Sequence, residues 1–130
     1  MTTYKFSREP DGGLMTVSIL LDNAYRLKMI LDTGASFTTI DSNILYLSGY
    51  DLKDSCGRVQ VETASGIIET DLFELYDFEC LGITKKDFQV QVYDFLAHGI
   101  FSDYNGLLGL DFLEDTKFCI DTRINTITLS

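Results

Sequence analysis

Apolar residues at every second position restrict the fold of this 130-residue chain more than any other feature. Such alternation is typical of β-strands that bury one face. Two runs of this kind are separated by a turn at Asp22-Asn23. Their apolar members are Met15, Val17, Ile19 and Leu21 in the first run and Leu27, Met29 and Leu31 in the second. The pattern therefore predicts two successive strands, the second of which runs into Asp32.

The rest of the chain continues the pattern and predicts an all-β, mostly antiparallel fold with one or two short helices, in a single domain of residues 1–130. Further strands are expected in a hairpin over 59–75, at 88–92, at 106–109 before one or two helical turns, and in a closing hairpin over 118–129. A short helix is predicted over 42–47, with Asp41 as its cap and Gly49 at its end. Residues 1–13 are polar and predict only a lead-in that ends in a turn.

Charge and cysteine content limit the classes of partner and the cellular compartment that are expected for this chain. The formal net charge of −10 argues against nucleic acid, because phosphate binding requires a basic surface. No apolar run approaches the ~20 residues of a membrane span, and the first ten residues lack the apolar core of a signal peptide. Three cysteines without metal or redox spacing predict free thiols in a reducing, cytoplasmic setting. Cys119 lies on an apolar strand and is predicted to be a core residue.

The second strand ends in Asp32, followed by Thr33 and Gly34. A general-base aspartate requires a rigid support, Gly34 permits a sharp turn, and the Thr33 hydroxyl can fix the loop by hydrogen bonding. One carboxylate is a weak catalyst for amide hydrolysis, whereas two carboxylates about 3 Å apart share a proton, so that one activates water and the other protonates the carbonyl oxygen. The chain has no second Asp-Thr-Gly, because Asp121-Thr122-Arg123 lacks the glycine. Such a pair therefore requires a second copy across a two-fold axis.

Three ordered segments of residues 15–129 resemble the retropepsin-like aspartic proteases, single-domain relatives of pepsin that act as homodimers. LDTGAS at 31–36 resembles the catalytic loop, which implies that Asp32 is the catalytic carboxylate and that Thr33, Gly34 and Ala35 support it. VETASGIIET at 61–70 resembles the flap that closes over bound peptide, with the implied substrate-binding residues Ala64, Ser65, Gly66 and Ile67. GLLGLDFL at 106–113 resembles the segment beneath the catalytic loop, with the implied supporting residues Leu107, Leu108 and Gly109.

The resemblance implies a closed, barrel-like fold and an endopeptidase that hydrolyses peptide bonds by activating water between two Asp32 carboxylates. It implies an extended peptide substrate with apolar side chains near the scissile bond, and neither a cofactor nor a metal. Viral members carry an ion pair of aspartate and arginine where this chain has Ser36 and Leu110. Because both partners are missing together, the cellular and bacterial branch of the family is favoured over the viral one.

A non-proteolytic dimerisation or peptide-binding module with the same fold is the alternative interpretation. The intact Asp-Thr-Gly argues against it, because a scaffold has no use for two facing carboxylates. The initial methionine argues against a processing domain cut from a longer polyprotein. His98, the sole histidine, is predicted to lie in a solvated loop, and the acidic residues Asp111, Glu114 and Asp115 suit a helix start.

Overall fold

The structure, a computed structural model, describes residues 1–10, 13–64, 66–100 and 103–130. The strands, in chain order, are β1 (Thr2–Lys5), β2 (Ser7–Arg8), β3 (Met15–Leu21), β4 (Tyr25–Leu31), β5 (Thr39–Asp41), β6 (Gly57–Thr63), β7 (Gly66–Cys80), β8 (Ile83–Tyr93), β9 (Gly106–Leu108), β10 (Phe118–Asp121) and β11 (Thr126–Leu129). The α-helix of the described residues is α1 (Ser42–Leu47), and short 3-10 helices lie at Leu52–Asp54 and Leu96–His98. The predicted fold class is confirmed.

Eight strands form one sheet in the order β2-β3-β4-β9-β5-β8-β7-β6. The long strand β7 also pairs with β3, where Leu21 lies opposite Phe78, and this pairing closes the sheet on itself. The pairs β4–β9 and β5–β8 are parallel, and the other pairs are antiparallel. A smaller sheet, β1-β11-β10, joins the two ends of the chain. The side chains buried most completely include Ile19, Leu21, Met29, Phe73, Leu75, Phe78, Leu108 and Phe112.

Local signals in the sequence correctly place the first turn and the helix. Asp22 and Asn23 both adopt positive φ, as the tight turn between two antiparallel strands requires. The Asp41 side chain accepts a hydrogen bond from the Asn43 N–H and caps α1. Gly49, with φ of 95°, ends the helical segment in a conformation that other residues rarely adopt.

The first residues are more ordered than the polar lead-in that the sequence predicts. Strand β1 pairs with β11 from Thr2–Leu129 to Lys5–Thr126, and β2 pairs with β3. Phe6 is buried, and its N–H donates to the Asn125 carbonyl at 3.0 Å. Strand β1 gains its partner from the far end of the chain, which a local pattern cannot reveal. The predicted turn at 11–13 falls partly outside the described residues.

Two other local predictions are wrong. The segment after Gly109 forms successive turns through residue 115, with i to i+3 bonds such as Leu113 N–H to the Leu110 carbonyl at 3.0 Å, and not α-helical turns. Cys119 is exposed, because β10 is an edge strand whose opposite face, with Phe118 and Ile120, packs on the core. The buried thiol is that of Cys80, whose pKa burial raises to about 12. No helix of the described residues has the length and apolar character to cross a membrane.

Candidate active site

Asp32 directly follows β4, and its position is fixed by hydrogen bonds on both sides. Its N–H donates to the Leu108 carbonyl at 3.0 Å, which extends the parallel pairing of β4 with β9 by one residue. Its Oδ1 accepts from the Gly34 N–H, also at 3.0 Å. A Cβ at Gly34 would lie 3.3 Å from this same oxygen, which is tighter than most Cβ contacts. These backbone contacts therefore fix the orientation of the half-buried Asp32 carboxylate at the end of a strand in a rigid sheet.

The Asp32 loop, defined as residues 32–37, rests on the segment that follows β9. The Ala35 N–H turns back to the Asp32 carbonyl at 3.1 Å. The Ala35 carbonyl accepts from Leu110 N–H at 2.8 Å, and the Ser36 carbonyl accepts from Asp111 N–H at 3.2 Å. The structure thus brings together Asp32, its predicted loop neighbours and the predicted segment Leu107 to Gly109. Of that segment, Leu108 lies in the core and Leu107 faces the cleft described below.

Gly109 lies where the two segments come closest, and this proximity predicts a large effect of substitution. A Cβ there would lie 2.7 Å from the Phe37 carbonyl carbon and 2.9 Å from the Ala35 carbonyl oxygen, so the backbone would have to shift. We expect Gly109→Ala to lower the free energy of unfolding by about 1–3 kcal/mol, measured by urea denaturation. Gly57→Ala is the matched control, because its Cβ meets only Leu72 Cδ1 at 3.5 Å. Equal effects of the two substitutions would contradict close packing at Gly109.

Sequence reasoning missed two residues that fix the loop, Thr38 and Asp111. Thr38 is fully buried; its N–H donates to both oxygens of the Asp111 carboxylate at 3.0 Å, and its hydroxyl donates to Oδ1 at 2.7 Å. The same hydroxyl accepts from Gly109 N–H at 3.1 Å. Asp111 was predicted to begin a helix, but its carboxylate anchors Thr38. The available signal was Thr38 itself, which lies just before β5 and two positions from the buried Ile40, where a polar group requires a partner.

The Asp32 side chain lines a cleft of about 1060 Å³. The hairpin of β6 and β7 borders the cleft, and apolar lining residues include Val59, Val61, Ile68, Leu72 and Leu107. Its charged lining residues, in the described part of the chain, are Asp32 and Glu62. Of the predicted hairpin-tip residues, Ala64 lines the cleft, Gly66 has a φ of 123° and Ile67 is exposed. Ser65 lies outside the described residues.

His98 does not reach this cleft. It ends a 3-10 helix, its Nδ1 lies 2.8 Å from the Asp94 carbonyl oxygen, and its ring packs against Tyr93. In the ranges that the structure describes, no three His, Cys, Asp or Glu side chains are grouped to hold a metal ion.

The family of the chain follows from a comparison with known protein families. The model of the aspartyl protease family matches residues 15–112, which include the Asp32 loop, the β6–β7 hairpin and the segment around Gly109. The chain belongs to the aspartyl protease family. No curated protein gives a significant match to the sequence.

A solved structure has a similar fold. The crystal structure of a retropepsin-like aspartic protease from Rickettsia conorii aligns with a TM-score of 0.72 and 24% identity, over 98% of this chain and 89% of that one. The predicted aspartic protease family and the retropepsin-like fold are confirmed. The assignment to the cellular and bacterial branch stays a prediction.

Proposed function

We propose that this chain is an endopeptidase that acts as a homodimer, with Asp32 and the partner subunit's Asp32 facing each other across a two-fold axis. The observation that carries the proposal is the Gly34 N–H to Asp32 Oδ1 bond at the floor of a large cleft, in a chain with one Asp-Thr-Gly. A carboxylate held in a fixed orientation in this way can act as a general base. A second such group can come only from another chain.

The surface beside Asp32 supports an interface at this position. Thr33 and Gly34 are exposed in the isolated chain, and a two-fold axis that joins two Asp32 side chains also brings these neighbours together. Phe37, in the Asp32 loop, is 58% exposed, and Leu110, which hydrogen-bonds to the loop, is 40% exposed, so large apolar side chains are available at this surface. Apolar surface of this kind is typical of the centre of a protein interface.

The reaction needs only the paired carboxylates and water. One carboxylate of the pair removes a proton from a water molecule between them, and the water oxygen attacks the peptide carbonyl carbon. The protonated carboxyl of the pair donates its proton to the carbonyl oxygen, which gives a neutral tetrahedral diol. The carboxyl that took up the water proton then donates it to the amide nitrogen, while the other carboxylate removes a proton from a diol hydroxyl. The C–N bond breaks, and the singly protonated pair is restored. No covalent bond to the enzyme forms.

The β6–β7 hairpin would serve as the flap over an extended substrate. Ala64, at its tip, lines the same cleft as Asp32, and backbone groups of a hairpin can pair with a peptide in strand form. The apolar lining residues suit apolar side chains near the scissile bond. Cytoplasmic location is supported by the three unpaired thiols, because such thiols persist in reducing compartments.

Dilution tests the homodimer. We expect the cleavage rate per chain to fall as the protein is diluted below the dissociation constant of the dimer, because each site needs two chains. Each chain carries a net charge of −10, so added salt should screen the repulsion and move the midpoint to lower protein concentration. The measurement is peptide cleavage across a dilution series at two salt concentrations, with sedimentation velocity to follow the mass. A monomer with full activity would contradict the proposal.

A further inference from the structure

Part of the cleft lining is polar, beside the apolar side chains of the β6–β7 hairpin. Thr39 and Gln91 are direct partners in the parallel pair β5–β8, and both line the cleft. Leu72 lies opposite Gln91 in the pair β7–β8, and Thr70 follows on the same face of β7, since side chains two apart in a strand share a face. Directly paired residues also share a face. We call Thr39, Thr70 and Gln91 the polar wall.

Thr70 is buried without a hydrogen-bond partner. It is 1% exposed, and its hydroxyl oxygen makes no hydrogen bond, although Thr70 lines the cleft. Thr38, which is equally buried, shows the usual arrangement, because its hydroxyl both donates to Asp111 and accepts from Gly109. Buried hydroxyls are seldom left unpaired, since they lose hydration without compensation. Rotation about χ1 of Thr70 can turn this hydroxyl toward a ligand that supplies the missing polar atom.

The polar wall lies close to the point of cleavage. Thr39 pairs with Leu107 in β9, and β9 pairs with β4, the strand that ends at Asp32. Two strand spacings separate Thr39 from that strand, roughly 10 Å. This distance fits a substrate side chain about three residues from the scissile bond, because an extended peptide advances about 3.3 Å per residue.

We propose, building on the proposed peptidase function, that the polar wall is a specificity subsite for an uncharged hydrogen-bonding side chain: asparagine, glutamine, serine or threonine. The Gln91 carboxamide both donates and accepts, so it can pair reciprocally with a substrate amide. The Thr70 hydroxyl gains the partner that it lacks in the free chain. A carboxylate is disfavoured there, because the charged residues that line the cleft in the described ranges, Asp32 and Glu62, are both acidic. The apolar remainder of the cleft then accepts the neighbouring side chains.

Discrimination at such a site is strongest against an isostere that lacks the polar atoms, because the polar groups of the site are then left unpaired. Asparagine and leucine form this matched pair. We therefore expect peptides that carry asparagine at one position near the scissile bond to be cleaved with a kcat/KM about tenfold or more above that of their leucine counterparts.

The test uses fluorescein-labelled octapeptides with an apolar central pair, in which asparagine or leucine is placed in turn at each of the four positions around it. Cleavage is measured with the wild type, and binding by anisotropy with the Asp32→Asn variant. Thr70→Val and Gln91→Leu should each reduce the asparagine preference to about threefold or less. Gln60→Leu is the matched control, a glutamine of the same cleft outside the polar wall, and should leave the ratio unchanged.

The stabilities of two threonine variants provide a second test of the subsite. Thr70→Val should leave the denaturation midpoint unchanged or raise it, whereas Thr38→Val should lower it, because only the Thr38 hydroxyl is paired. The subsite is overturned if the two peptide series are cleaved and bound equally, or if neither series binds. It is also overturned if the asparagine preference survives both substitutions, or if the two valine variants are destabilised equally. Selective binding of asparagine peptides by Asp32→Asn, without cleavage by the wild type, would instead overturn the peptidase function and keep the subsite.

Discussion

Asp32→Asn is expected to lower peptide cleavage by about 10³-fold or more, since it removes the group proposed to exchange protons with water. The substitution is nearly isosteric, and the retained Oδ1 can still accept from the Gly34 N–H, which lies 3.0 Å away. The fold should therefore remain intact. The measurement is the kcat/KM for a fluorogenic peptide, together with the circular dichroism spectrum and the denaturation midpoint of both proteins.

Asp121→Asn is the matched control, because Asp121 is also followed by a threonine. It is the last residue of β10, and the Arg123 guanidinium lies 2.9 Å from its Oδ2. This pair lowers the pKa of Asp121 to about 2, but the residue does not line the cleft, so cleavage should be unchanged. Full activity in Asp32→Asn would contradict catalysis by Asp32. A wild type that binds peptides without cleaving them would favour the non-proteolytic binding module.

Mixing the two proteins separates a shared site from two independent ones. If each site needs two Asp32 residues, random exchange of equal amounts of wild type and Asp32→Asn leaves about one quarter of the dimers active. If each chain acts alone, about one half of the activity remains. The mixture is brought to exchange equilibrium at low salt and assayed at a concentration where the dimer persists. A result near one half would contradict the homodimer.

The sequence predicts the elements of this fold better than their contacts. The strands β3 and β4, the cap of α1 and the loop at Asp32 depend on patterns within a few residues, which the chain displays directly. The pairing of β1 with β11 and of β3 with β7 joins residues far apart in the chain, and no local pattern encodes which strands meet. Cys119 illustrates the same limit, since its strand was recognised but the face that reaches the core was not.

In the candidate site, too, local features could be predicted from the sequence, whereas contacts between distant residues could not. Asp32 and Gly34 could be predicted because three consecutive residues carry the geometry. Thr38 and Asp111 are 73 positions apart, and their contact depends on the fold that brings β5 beside the segment after β9. The polar wall is equally invisible, since Thr70 and Gln91 share a face only through the register of β7 with β8. Side-chain chemistry that requires several strands thus emerges only with the structure.

The second large effect is expected at Asp111. Asp111→Ala removes the acceptor for both the backbone N–H and the hydroxyl of Thr38, which is fully buried. Hydrogen bonds to charged groups contribute about 1.5–3 kcal/mol each, so we expect a loss of about 3 kcal/mol in the free energy of unfolding, measured by urea denaturation.

Asp111→Asn tests whether the acceptor or the charge is responsible. The bonds from the Thr38 N–H, the Thr38 hydroxyl and the Phe112 N–H all reach Oδ1, which asparagine retains. Only the second contact of the Thr38 N–H, with Oδ2, is lost. This variant should therefore lose only about 1 kcal/mol, the value of a neutral hydrogen bond. If Asp111→Asn is as unstable as Asp111→Ala, the negative charge and not the acceptor geometry stabilises the loop.

Catalysis should respond to Asp111→Ala even when the protein is fully folded. The Thr38 hydroxyl joins Asp111 to Gly109, and the backbone around Gly109 supports the Ala35 and Ser36 carbonyls of the Asp32 loop. Without its acceptor, Thr38 can no longer fix this loop, and small displacements of a catalytic group reduce the rate strongly. We expect kcat to fall about tenfold or more at a temperature where denaturation shows no unfolded protein, with KM changed less. An unchanged kcat in the folded variant would show that Asp111 stabilises the chain without positioning Asp32.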